Sequence, residues 1–113
     1  MQSTVVNGTR SAAAGSGTQT ITGVGFTWKA AIVFATQDNN DSCSWGFIDD
    51  ADAEMNMHQV GTAHAAENIR LIRILSGADE MNAVGARSGD DLNITWTKVG
   101  AGMDTSFSIL FLG

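Results

Sequence analysis

The chain has 113 residues, 43% of them hydrophobic, and its 12 acidic and 6 basic side chains give a formal net charge of −6. This length suits one hydrophobic core, and the acidic balance argues against a nucleic-acid surface. The longest apolar run, Ala30–Ala35, is far shorter than the roughly 20 residues that span a bilayer. We therefore expect a partner that is neither nucleic acid nor membrane.

The first 17 residues are small and mostly polar, with "SAAAGSG" just before the first clear strand pattern. Segments of such low hydrophobicity usually lie outside a core. The sequence predicts a flexible N-terminal arm over residues 1–17, which would order on a partner, and a single β-sandwich domain over residues 18–113.

The next two predicted strands differ in how their faces are covered. "TQTITG" alternates weakly around Ile21, which is typical of an edge or half-exposed strand. "KAAIVFAT" has apolar residues on both faces: Ala30, Ile32 and Phe34 on one, Ala31, Val33 and Ala35 on the other. This pattern indicates either a strand covered on both sides within one sandwich or a strand covered by a second chain.

The three tryptophans receive different predictions. "SCSWGFI" alternates Cys43, Trp45 and Phe47 with small residues, which predicts a strand with its large side chains in the core. Trp96, on the apolar face of "LNITWTKV", is also predicted to be buried. Trp28 follows a glycine-rich turn and precedes Lys29, so this pair is the candidate exposed contact.

The remaining segments complete an all-β pattern. "MNMHQV" and "NAVGARS" predict strands, and "HAAENIRLIRILSG" predicts a short helical turn followed by a strand over Ile69–Leu75. "TSFSILFL" closes the chain, with Phe107, Ile109 and Phe111 on its inner face. Seven or eight short strands separated by Gly, Asn and Asp turns, without any proline, predict an antiparallel β-sandwich.

The candidate chemical sites are weak. "DDADAE" places Asp50, Asp52 and Glu54 at alternate positions as a calcium loop does, but Met55 and Gly61 stand where an EF-hand needs Gly and Glu. A solvated acidic loop is the better interpretation. His58, His64 and Glu67 are zinc-type ligands, yet their spacing matches no helical His pair. Because no nucleophile elbow is present either, we expect no enzyme activity, no metal and no cofactor.

Several segments resemble small structural proteins of tailed bacteriophages and prophages. The first segment is "GTQTITGVGFTWKAAIVFAT". It is similar to a segment of those proteins that reads Gly-x-x-Thr-Val-Thr-Gly-x-Gly-Phe-x-Pro-Lys-Ala-Val and continues into an apolar strand. The similarity extends to "SWGFIDD", "IRLIRIL", "SGDDLNITWT" and "SFSILFLG". Trp28 replaces their usual proline, and Asp91-Leu92 replaces Gly-Phe. The resemblance implies a jelly-roll-like sandwich that is part of a virion, made in the host cytoplasm.

Two virion roles follow from that resemblance. The first is a capsid decoration (cement) protein that binds the major capsid protein on the head surface and assembles as a homotrimer. Trp28 and Lys29 would then be contacts. The doubly apolar strand Ala30–Ala35 and the apolar tail Ile109–Leu112, with Ile109 and Phe111, would suit packing around the three-fold axis of the trimer. The alternative is a tail fibre or receptor-binding module that recognises glycans through Trp28 and the loops Gln37–Asp41 and Asp49–Glu54.

Overall fold

The computed structural model describes residues 1–38 and 41–113, and this part of the chain is almost entirely β-structure. Its ten strands are β1 (Ser3–Arg10), β2 (Gly17–Ile21), β3 (Ala30–Gln37), β4 (Cys43–Asp49), β5 (Glu54–Val60), β6 (Ala63–Glu67), β7 (Ile72–Ser76), β8 (Asp79–Ser88), β9 (Asp91–Val99) and β10 (Thr105–Leu112). The all-β prediction is confirmed, with ten strands in place of seven or eight.

The strands form two antiparallel sheets packed against each other, as predicted. The six-stranded sheet has the order β1-β10-β3-β4-β5-β6, and the four-stranded sheet has the order β2-β9-β8-β7. Strands β3 to β6 and β7 to β9 pair with their chain neighbours, whereas β1 pairs with β10 and β2 with β9. The two ends of the chain therefore lie side by side in the six-stranded sheet.

The prediction of a flexible arm over residues 1–17 is wrong. Ser3–Arg10 pair along their whole length with Thr105–Leu112, and Ala12–Ala14 form a short 3₁₀ turn. An edge strand needs few apolar side chains, because backbone hydrogen bonds hold it in place and only one side chain in two faces the core. In β1 that inner contact is made by Val6, which packs against the core, so the polar composition concealed a strand.

The segment that was ambiguous in sequence also differs from its prediction. Ala63–Glu67 form a strand, β6, where a helical turn was expected, and β7 begins at Ile72 rather than Ile69. Ile69 lies in the connection and is exposed. Pairing of β6 with β5 decides this outcome, since the alanines of β6 have no strong β preference of their own.

The core lies between the two sheets. Trp96, Leu92 and Ile94 from β9 are buried there, so the prediction for Trp96 is confirmed. Trp28 is also fully buried, with its ring edge-on to Phe111 at 5.5 Å between centroids.

The inner face of β4 carries small residues, Ser44 and Gly46, where β7 lies directly on it, and Ile48 enters the core beyond them. The backbone N–H of Arg73 donates to Ser44 Oγ (3.1 Å), and that of Leu75 donates to Ser42 Oγ (2.9 Å). A Cβ on Gly46 would overlap the carbonyl oxygen of Leu71. Beside β7, the large side chains of β4 therefore point outward, and the predicted burial of Cys43, Trp45 and Phe47 is wrong.

The edge of the four-stranded sheet continues from β7 onto β8, and acidic side chains occupy it there. The N–H of Gly85 donates to Glu54 Oε2 (2.8 Å), and the N–H of Arg87 donates to Asp52 Oδ1 (2.7 Å). Burial raises the pKa of Glu54 above its ordinary value, although the bond from Gly85 acts in the opposite direction. Asp52 and Glu54, which were predicted to lie in a solvated acidic loop, thus cover the edge of β8 by accepting its backbone N–H groups.

Replacing Gly46 by alanine tests the contact between β4 and β7. We expect Gly46→Ala to lower the free energy of unfolding by about 3 kcal/mol or more, because the new methyl group meets rigid backbone rather than a movable side chain. Gly23→Ala is the control. At Gly23 the left-handed backbone conformation (φ 82°) disfavours alanine, but nothing lies near the added Cβ. We expect this substitution to lower the free energy of unfolding by about 1–2 kcal/mol. Urea unfolding measures both, and equal losses would contradict the close contact.

Candidate functional site: an exposed apolar sheet face

The outward side of the six-stranded sheet carries two adjacent rows of side chains set by the strand register. One row runs Val5, Leu110, Ile32, Phe47, Met55, and the next runs Asn7, Ser108, Phe34, Trp45, Met57. Side chains directly opposite on paired strands are in contact distance. We call the eight apolar members of these rows the outer apolar face: Val5, Ile32, Phe34, Trp45, Phe47, Met55, Met57 and Leu110.

Much of the outer apolar face is open to water. The exposed fractions are 50% for Phe34, 39% for Trp45, 40% for Phe47, 46% for Met55 and 54% for Met57. At about 200 Å² for each large side chain, these five leave on the order of 450 Å² of exposed apolar surface. A patch of this size equals the largest found on typical monomeric proteins and often marks a binding site.

The outward side of the four-stranded sheet is different. Its central rows are mainly Thr and Asn, and they hydrogen-bond to one another: Thr18 Oγ1 to Thr95 Oγ1 (3.1 Å) and Thr20 Oγ1 to Asn93 Oδ1 (2.8 Å). Val84 and Ala86 are exposed among them, and Val99 is exposed near the end of β9. One side of the sandwich is therefore suited to water and the other to an apolar contact.

A groove of about 690 Å³ lies beside the aromatic part of the outer apolar face. Phe34 and Trp45 line one part of it, and Ser106 and Ser108 line another. Ser108 Oγ donates to Asn7 Oδ1 (2.6 Å), and Ser106 Oγ donates to Asp38 Oδ1 (2.8 Å). The groove thus has both aromatic and hydroxyl-bearing surface.

Three of the four residues predicted as contacts are not on any surface. Ile109 and Phe111 face the core and are fully buried, so their predicted interface role is wrong. Trp28 is buried as well and lies under the Arg87 guanidinium, 5.6 Å from the ring centroid. Lys29 is exposed, as predicted, and forms an ion pair with Asp50 (3.1 Å).

Sequence reasoning missed Trp45, Phe47 and Phe34 as exposed residues. Alternation showed which side chains share a face, but it did not show which face points inward. A usable signal was present in the doubly apolar strand "KAAIVFAT", for which coverage by a second chain was one of the two interpretations. In the structure Val33 faces the core, whereas Phe34 faces water. Asn39 and Asn40, within the predicted glycan-contacting loop Gln37–Asp41, lie outside the described residues.

His58 and His64 point to opposite sides of the six-stranded sheet. His64 pairs with Gln59 and is exposed, whereas His58 faces inward and is buried. Within residues 1–38 and 41–113, no three His, Cys, Asp or Glu side chains come together in a metal-binding arrangement.

His58 belongs to a polar network that closes one side of the sandwich. Its Nδ1 lies 2.8 Å from Asn56 Oδ1, and Asn56 Nδ2 donates to Glu67 Oε1 (3.1 Å). Arg73 then links the two sheets, because its guanidinium forms ion pairs with Glu67 of β6 (3.2 Å) and Glu80 of β8 (3.2 Å). Burial, together with the nearby positive charge of Arg73, lowers the pKa of His58 below its ordinary value.

Comparison with protein-family models, with curated proteins and with solved structures gave no match. A search for membrane-spanning segments found, among the described residues, no helix of the required length and apolar character.

The lowered pKa of His58 predicts a loss of stability in mild acid. The unfolded chain takes up a proton near the ordinary value of 6.5, whereas the folded chain does so only at lower pH, so the folded state loses stability as pH falls below about 6.5. We expect the free energy of unfolding to fall more between about pH 7.5 and pH 5.5 in the wild type than in His58→Gln, which does not titrate. Urea unfolding at both pH values measures this, and an equal decrease in the two proteins would contradict the buried neutral histidine.

Proposed function

We propose that this chain is a virion structural protein, a capsid decoration (cement) protein without enzymatic activity. It binds the outer surface of the head and stabilises contacts between major capsid protein subunits. The outer apolar face is the surface that meets the capsid protein, and the polar side of the four-stranded sheet remains in solvent.

The outer apolar face is the observation that carries this proposal. Two apolar rows on one sheet, with Phe34 and Trp45 at neighbouring positions, offer the aromatic centre that protein interfaces use. The strand pattern and the segments that resemble phage structural proteins supply the choice of a virion as the assembly. The acidic net charge of −6 agrees with a partner that is protein rather than nucleic acid.

Binding of this kind is additive. A standard protein interface buries about 800 Å² on each partner, so the exposed apolar area supplies its centre, and polar neighbours such as Asn7, Gln59 and His64 supply its rim. Copies that are joined to each other in an oligomer gain further affinity, because each additional contact then forms at high effective concentration. A homotrimer no longer follows from Ile109 and Phe111, because both are buried within one chain.

One observation favours the alternative function, a receptor-binding module on the tail. Trp45 stands beside the groove, and serine, threonine and asparagine side chains lie around it. Sugars are bound by an aromatic ring together with hydroxyl and amide groups, so this groove replaces Trp28 as the candidate glycan contact.

Binding to virus particles separates the two functions. Purified chain is added to particles that lack it, and the bound amount is measured by sedimentation and quantitative mass spectrometry. We expect wild type to saturate near one copy per major capsid protein, and Phe34→Thr/Trp45→Thr to bind at least tenfold more weakly because the interface loses its aromatic centre.

Val84→Thr is the matched control, since it removes an exposed apolar side chain from the opposite sheet, and it should bind as wild type does. Circular dichroism confirms that each variant is folded. Saturation at a few copies per particle, with the bound copies able to bind host glycans, would support the tail module instead. Full binding by the double variant would refute the role of the outer apolar face.

A further inference from the structure

The β1 edge of the six-stranded sheet has unused backbone hydrogen-bonding groups. Gln2 and Gly113 exchange both of their backbone bonds (3.2 and 2.9 Å). In an antiparallel ladder, such a double exchange recurs at every second residue pair. Counted from Gln2, the residues of β1 that bond to β10 are therefore Thr4, Val6, Gly8 and Arg10. The N–H and C=O groups of Ser3, Val5, Asn7 and Thr9 therefore point away from β10, along the open edge.

Little protects this edge from pairing with another strand. Within the described residues, one side-chain bond reaches it, from Gln19 Nε2 to the carbonyl oxygen of Thr9 (3.1 Å), which leaves the groups from Ser3 to Asn7 open. The stretch "STVVNGT" contains no proline and no charged residue, although these are the usual means of preventing edge pairing.

The edge formed by β7 and β8 in the other sheet is protected much more thoroughly. There, four outward N–H groups each donate to a side chain. On β7, Arg73 donates to Ser44 and Leu75 donates to Ser42. On β8, Gly85 donates to Glu54 and Arg87 donates to Asp52. The fold thus closes one long edge by specific contacts and leaves β1 available.

The β1 edge is compatible with a second copy of this chain as the partner. Two molecules of net charge −6 repel each other, and this repulsion is weakest where both contacting surfaces lack carboxylates. Ser3–Thr9 is such a segment, and an antiparallel strand is complementary to itself through a two-fold axis.

We propose that two copies of this chain pair through β1, antiparallel and around a two-fold axis at Val5. Ser3 of one copy then lies opposite Asn7 of the other, and Val5 lies opposite Val5. This register uses the open groups from Ser3 to Asn7 and leaves the occupied Thr9 carbonyl outside the central pairs. Strand addition of this kind derives its affinity from main-chain hydrogen bonds.

The pairing joins the two outer apolar faces. Side chains directly opposite on paired strands lie on the same side of a sheet, so Val5 extends the row of Leu110, Ile32 and Phe47 into the second copy. The dimer therefore presents one continuous apolar surface of about twice the area. The pairing itself does not depend on what that surface binds.

A charge-exchange experiment tests the pairing. Sedimentation equilibrium of the wild-type chain over a wide concentration range should give the mass of two chains. Val5→Lys and Val5→Glu should each weaken the dimer at least tenfold, because two like charges then lie opposite each other. An equimolar mixture of the two variants should restore the dimer as a heterodimer, since opposite charges now meet.

The control variant is Ala65→Lys, which places the same charge at an exposed position on β6, at the other edge of the sheet; it should dimerise as wild type does. Thermal unfolding at a dilution where wild type is monomeric verifies that each variant is folded. A monomeric wild type, a trimer, a dimer unaffected by Val5→Lys, or no recovery in the mixture would each overturn the proposal.

Discussion

The structure depends on the close approach of the β7 backbone to the inner face of β4. Two serine hydroxyls accept the outward N–H groups of β7, and Gly46 leaves room for the Leu71 carbonyl. These contacts join the edge of one sheet to the face of the other and satisfy backbone groups that would otherwise be buried without partners. They also require that β4 keep Ser44 and Gly46 on its inner face.

The outer apolar face follows from this requirement. With small residues inside, strand alternation sends Cys43, Trp45 and Phe47 outward, where they meet Phe34 of β3 and Met55 and Met57 of β5. Exposed aromatic side chains are costly in an isolated soluble chain, since they favour association. The proposed capsid contact uses this surface, and the proposed pairing through β1 enlarges it.

The sequence predicted the fold class better than the orientation of its parts. Alternation and glycine turns marked the strands from β2 to β5, because these signals are local. Edge strand β1 was missed since its partner, β10, lies at the other end of the chain. Burial of Trp28 was missed because it lies in a connection without periodicity. The inward face of β4 was misassigned, since it is decided by β7, which lies more than 20 residues away in sequence.

Tryptophan fluorescence tests this orientation most directly, because the sequence pattern and the structure give opposite answers for two of the three rings. In the isolated chain, acrylamide quenching is compared among Trp28→Phe, Trp45→Phe and Trp96→Phe. With Trp45 39% exposed and Trp28 and Trp96 buried, Trp45→Phe should remove most of the quenchable emission, and the other two variants should retain it. Loss of quenchable emission in Trp28→Phe, with none in Trp45→Phe, would contradict the outward orientation of β4 and with it the outer apolar face.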